Sequence, residues 1–276
     1  MQTKKMVFMI LLGILALVAA QLLAQLIASM LFLVKIPSFI CNALAGILYV
    51  AIAYWLLRLL CKKYLKEDME AYCIPKFRVE AKWIIIAIAL PILVSVAFLL
   101  LNGSFEENAM DLNAKLDALT AGIFFTGFGA GFVEEMVFRG IIMGVVEKRF
   151  NRKVAVIAPS VLFGFVHILG MGYDLLSCIF VVFAGTMVGV MFSLIALEKK
   201  SVWNSAIVHA IWNIVISGGV IGIGTAFDEY SLYSYVLETN SFLLTGGDFG
   251  IESSVIAVMG YCLVSAYVIL SNRKRR

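Results

Sequence analysis

Long apolar runs, broken by short polar connections, fill this chain from end to end. The runs are continuous rather than alternating, which argues against the short two-faced strands of a membrane barrel. A helix needs roughly 20 apolar residues to cross a bilayer. On that scale the pattern predicts eight spans: Met6–Val34, Phe39–Leu60, Trp83–Leu101, Leu119–Val146, Val154–Gly170, Leu175–Leu197, Val202–Gly222 and Ser254–Leu270. The longest polar stretches, at roughly 20 to 30 residues, fall below the size of a folded soluble domain. The expected architecture is therefore all-α and polytopic. It is a single integral-membrane domain over residues 1–276, with eight transmembrane helices and a buried active site.

Composition agrees. Hydrophobic residues make up 62% of the chain and charged residues 14%. A soluble domain is nearer half apolar and a quarter charged. Five scattered cysteines without paired spacing suggest neither a disulfide framework nor a zinc knuckle. The net charge of +4 calls for no nucleic-acid partner, and its distribution is more informative than its total. Lys4 and Lys5, the Arg58–Lys82 segment, Lys148–Lys153, Lys199–Lys200 and the Arg273–Arg276 end are basic. The alternate connections carry Glu106, Glu107, Asp111, Asp117, Asp174, Asp228, Glu229, Glu238, Asp248 and Glu252. The positive-inside rule then places both termini in the cytosol. The short loops suggest a bacterial plasma membrane. The Cys61–Lys82 segment reads equally well as an interfacial helix or a solvated loop. The aromatic-rich stretch from Gly224 to Ser253 reads first as a plain connector and second as an ordered outer cap.

Ionisable groups are costly in hydrocarbon and usually face a cavity or a partner there. The fourth span carries Glu134, Glu135 and Arg139, the fifth His167, and the seventh His209 and Asn213. These histidines are the only two in the chain. Helical rise sets Glu134 roughly 18 Å, His167 roughly 20 Å, and His209 and Asn213 roughly 10 to 17 Å from the cytosolic ends of their spans. The four groups should share a slab from mid-membrane to the cytosolic half. Glu135 and Arg139 are spaced i,i+4 with the acid first, the favourable order for a helical ion pair. Glu134 lies about 100° round the helix and lacks that partner. A nearby imidazole would let it polarise a water. His209 and Asn213, also i,i+4, point the same way and supply donors for a developing oxyanion. Phe163 lies one turn before His167 and packs beside the site. The Gly127–Gly131 run reads as close helix packing. Glu and His are competent zinc ligands, so Glu134, His167 and His209 form a candidate metal set. No HExxH motif fixes such a site, and metal-free water activation stays open.

The ordered set Glu134-Glu135-x-x-x-Arg139, Phe163-x-x-x-His167 and His209-x-x-x-Asn213 resembles the CPBP family. These are the CAAX-protease and bacteriocin-processing membrane proteins, also called the Abi family. The resemblance spans a core from residue 119 to residue 222. It implies an eight-span intramembrane endopeptidase. In it Glu134 and His167 activate the attacking water, His209 and Asn213 stabilise the oxyanion, and Glu135 and Arg139 support them. Its expected substrate is a membrane-associated peptide or protein, cleaved from the cytosolic side. A prenylated tail, a bacteriocin leader and a signalling peptide are all compatible. The alternatives are a non-catalytic immunity protein or sensor partner and, more remotely, an ion-coupled transporter.

Overall fold

A computed structural model describes residues 1–170, 172 and 174–273. The last residues of the basic carboxyl-terminal run lie outside that set. Eight long helical segments follow one another in the predicted order. They are α1 (Thr3–Leu33), α2 (Ser38–Leu65), α3 (Ala81–Leu99), α4 (Leu112–Arg149), α5 (Arg152–Val166), α6 (Leu175–Lys199), α7 (Val202–Ile216) and α8 (Val255–Arg273). Their starts follow local chemistry. Asp111, Asn151, Asp174 and Ser201 each precede a helix, and each side chain accepts a hydrogen bond from a backbone N–H of the first turn. The Ser177 hydroxyl and N–H also hold the Asp174 carboxyl below its ordinary pKa.

The expectation of eight spans needs correction. Six of these helices are long and apolar enough to cross a membrane; α5 and α7 are not. Each has 15 residues. That is about 22 Å of helix against a hydrocarbon core of about 30 Å. Both start at the basic end of the bundle and stop short of the other. The seventh predicted span was drawn to Gly222, but the chain leaves the helix after Ile216 and enters a strand at Ile221.

The all-α expectation is also incomplete. Strands β1 (Gly103–Glu107), β2 (Ile221–Gly224) and β3 (Tyr233–Leu237) form one sheet in the order β1-β3-β2. Phe105 lies opposite Tyr235 in the antiparallel pair, and Ile223 opposite Tyr235 in the parallel one. Short helical turns at Phe242–Thr245, Gly247–Phe249 and Ile251–Ser253 complete the segment. The stretch read first as a plain connector is thus an ordered cap. It sits at the end of the bundle where α5 and α7 fall short.

At the opposite end, the segment after α2 is neither an interfacial helix nor a solvated loop. Met69, Tyr72 and Ile74 are buried beneath α4. Gly140 and Gly144 of α4 lie where an added Cβ would meet the Ile74 and Tyr72 side chains at 2.7 and 2.6 Å. Burial pushes the Tyr72 hydroxyl pKa up, and the nearby Lys148 ammonium, donating at 3.0 Å, pulls it partly back. The same segment clamps the start of α7. Val202 N–H donates to the Cys73 carbonyl, and the Trp203 indole N–H to that of Pro75.

Helix α4 is the axis of the fold. It contains two wide π-helical stretches, Ala121–Ala130 and Met136–Ile142, around a short α-helical piece, Gly131–Glu135. Such stretches are rare and cluster at functional positions. The glycines in and beside them set how closely α4 approaches α7. A Cβ on Gly131 would stand 2.8 Å from the Ala210 Cα, and one on Gly127 2.3 Å from the Ile214 side chain. The contact at Gly131 is with backbone, so it cannot be relieved by a rotamer change. Gly131→Ala is expected to cost about 1–3 kcal/mol through overpacking. A melting temperature in detergent lowered by several degrees checks this, and an unchanged one contradicts it.

Candidate active site

Close packing at Gly131 brings the next turn of α4 against His209 on α7. Glu135 and Arg139 form the predicted i,i+4 pair, with Nη1 to Oε1 at 2.8 Å and side chains 0% and 1% exposed. The Arg139 guanidinium carbon lies 4.3 Å from the Phe163 ring centroid and 5.2 Å from that of Phe192. Arginine faces aromatic rings favourably when desolvated. Phe163 therefore does more than flank His167: it roofs the buried cation.

The same Glu135 Oε1 also accepts from His209 Nδ1 at 3.2 Å. This bond fixes the ring and turns Nε2 toward Glu134, whose Oε2 is 3.8 Å away. That separation is beyond a direct hydrogen bond. Phe192 stacks on the His209 ring at 4.6 Å and 19°. Glu134 was expected to find His167 as its imidazole partner. The close packing of α7 on the glycine face of α4 also brings His209 Nε2 to 3.8 Å from Glu134 Oε2.

His167 is the residue at which α5 ends. Its Nδ1 lies 2.6 Å from the Phe163 carbonyl oxygen. A carbonyl only accepts, so Nδ1 carries the hydrogen and a neutral ring has Nε2 as its basic nitrogen. The Asn213 amide donates from Nδ2 to the Thr126 carbonyl at 3.0 Å. Its second amide hydrogen is not used by that bond.

All four groups line one cavity of about 220 Å³, whose other walls include Thr126, Phe163, Phe192 and Tyr261. Phe249 and Glu252 of the cap also line it. The cavity therefore runs from the middle of α7 to the cap. Ser160, the serine nearest His167 in its helix, donates to the Val156 carbonyl at 2.6 Å and is not among the lining residues.

Glu252 is the functional-site residue missed by sequence reasoning, which saw only an acid in a connector. Its Oε2 accepts from the Trp212 indole at 3.0 Å and its Oε1 from the Ser217 hydroxyl at 2.5 Å. Its carbonyl accepts from the Tyr261 hydroxyl at 3.1 Å. Glu252 thus ties the cap to α8, to Trp212 of α7 and to Ser217 just beyond its end. Glu252→Ala should cost about 1–3 kcal/mol by leaving the Trp212 and Ser217 donors unpaired. Faster limited proteolysis within residues 224–253 checks this; an unaltered cleavage rate contradicts it.

Among the described residues, no three His, Cys, Asp or Glu side chains converge to hold a metal ion. His209 is occupied through Nδ1 by Glu135, and His167 through Nδ1 by a carbonyl. In each ring Nε2 is left free, and a metal-ligating histidine commonly donates its other ring N–H in this way. Residues 116–215 match the family model described as Rce1-like, the type II CAAX prenyl endopeptidases, over a little more than a third of the 276-residue chain. No curated protein and no solved structure matches the chain. The long apolar helices and this match make it an integral membrane protein.

Proposed function

We propose, from the match of residues 116–215 to the Rce1-like type II CAAX prenyl endopeptidase model, that the protein is an intramembrane endopeptidase in which a Glu134/His167-activated water hydrolyses a peptide bond of a membrane-associated peptide or protein. One observation carries this reading: Glu134, His167, His209 and Asn213 line a single cavity. Peptide hydrolysis needs a water, a base and donors for the tetrahedral oxygen. The water gives a proton to the Glu134/His167 pair as its oxygen attacks the carbonyl carbon. The carbonyl electron pair moves to oxygen, whose charge meets the free amide hydrogen of Asn213 and the Nε2 edge of His209. Collapse expels the amine, which takes the proton from Glu134 or His167. His209 donates to that oxygen as an imidazolium, since Nδ1 already donates to Glu135. Glu135 and Arg139 hold His209 and are positioning residues.

The alternate basic connections support both termini being cytosolic, and the short loops favour a bacterial plasma membrane. The substrate class is wider than prenylated tails, and short peptide processing suits the compact loops. Purified protein incubated with membrane peptides and read by mass spectrometry tests the proposal, with and without chelator. New termini that appear with wild type and vanish with Glu134→Gln are expected. Loss of cleavage on chelation, restored by zinc, would replace metal-free activation by a metal mechanism. No cleavage of any peptide, with a cellular phenotype that survives Glu134→Gln, would favour a binding role in immunity or sensing.

A further inference from the structure

A second cavity of about 480 Å³ lies beside the first at the cap end of the bundle. Thr126 and Ser217 line both cavities, so the two share a wall at the end of α7. The remaining walls include Asn42, Asp117, Asp228, Tyr230 and Ser231. None of the described residues lining it is a lysine or arginine. The neighbouring Lys115 is drawn to Glu107 at 3.4 Å.

The two carboxylates in this vestibule are not equivalent. Both Asp228 oxygens are engaged, Oδ1 by the Tyr230 N–H at 3.0 Å and Oδ2 by the Ser231 hydroxyl. Asp117 has one oxygen satisfied, with Oδ2 accepting from the Ser38 hydroxyl at 2.7 Å. Its Oδ1 is buried without a hydrogen-bond partner. A buried carboxylate oxygen without a donor is costly, and the cost is removed by a cationic or N–H group that enters the cavity. Three features therefore converge on one place: a wall shared with the catalytic cavity, negative charge with no basic lining residue, and an unsatisfied acceptor.

We propose that this vestibule is the entry and recognition site for a peptide bearing a lysine or arginine near its apolar scissile segment, with Asp117 Oδ1 receiving the cation. The vestibule opens on the face that carries the acidic connections. The positive-inside rule makes that face the extracytoplasmic one. Substrate then arrives from outside, not from the cytosolic side that the sequence suggested. What happens to the bound peptide rests on the protease reading; its capture does not.

The test uses full-length Glu134→Gln protein in detergent, which holds peptide without turnover. The probes are a short alanine–leucine peptide with one central lysine and the same peptide with norleucine in its place. Calorimetry should show the lysine peptide bound about tenfold more tightly, the scale of one partly buried ion pair. Adding Asp117→Asn should remove that preference and leave norleucine-peptide affinity unchanged, which also shows that the fold survives. Adding Asp117→Glu should keep the preference. Equal affinity for both peptides, a preference that survives Asp117→Asn, or no binding of either peptide overturns the proposal. Mass spectrometry of the same peptides with wild type separates the two ideas. Equal cleavage of both keeps the protease and removes the vestibule's role. Selective binding without cleavage does the reverse.

Discussion

Glu134→Gln is expected to abolish peptide cleavage while the protein melts at the wild-type temperature. Removing a positioned general base typically costs 10²–10⁴-fold in rate, and the loss here should reach at least about 10³-fold. Glutamine keeps the size of the side chain and loses the ability to take a proton. The fold should not notice. Glu134 is partly exposed to the cavity, and its nearest charged neighbour, His209 Nε2, stands 3.8 Å away without a direct bond. Rates of product formation by mass spectrometry, paired with thermal melts of both proteins, check the two halves separately. A variant that retains more than about a tenth of the activity would remove Glu134 from the base's role.

The opposite balance is expected at Arg139, the partner of the next acid, Glu135. Arg139→Ala should destabilise the protein by about 3–5 kcal/mol, because it leaves the Glu135 carboxylate buried without its counter-charge. It also empties the slot between the Phe163 and Phe192 rings, where the guanidinium now lies. Arg139→Lys should not rescue it. A lysine ammonium lacks the planar fork that reaches Glu135 while lying against rings. Losses of yield and of melting temperature, much larger than for Glu134→Gln, check this. Equal melting temperatures for Arg139→Ala and wild type would mean that the pair is dispensable for folding. Together the two neighbouring acids separate chemistry from support: Glu134 faces the cavity, and Glu135 faces the core.

How much of this was legible in the sequence follows from whether each feature is local. The helices were legible because apolar runs are contiguous: the starts expected at Val154 and Val202 lie within two residues of those of α5 and α7. The Glu135–Arg139 pair was legible because i,i+4 spacing is a one-helix property. The convergence of three helices was inferred only from the rarity of polar groups in apolar runs. The approach of His209 to Glu134 was not legible, because it depends on Gly131 packing on the Ala210 backbone, a contact between distant segments. The π-helical stretches of α4 leave no periodic signature. The cap was hidden because strands of four or five residues, paired from residue 103 to residue 237, alternate too briefly to register. Glu252 looked like any loop acid, since its three partners lie on or just beyond two other helices.

The central claim is that Glu134 and His167 act on one water in one cavity. A double-mutant cycle on cleavage rate tests it most directly, with wild type, Glu134→Gln, His167→Ala and the double variant. Residues that serve a single proton transfer are strongly non-additive. The double variant should therefore be about as slow as the slower single one. If the two losses instead multiply, the residues work independently, and the shared-water account is wrong.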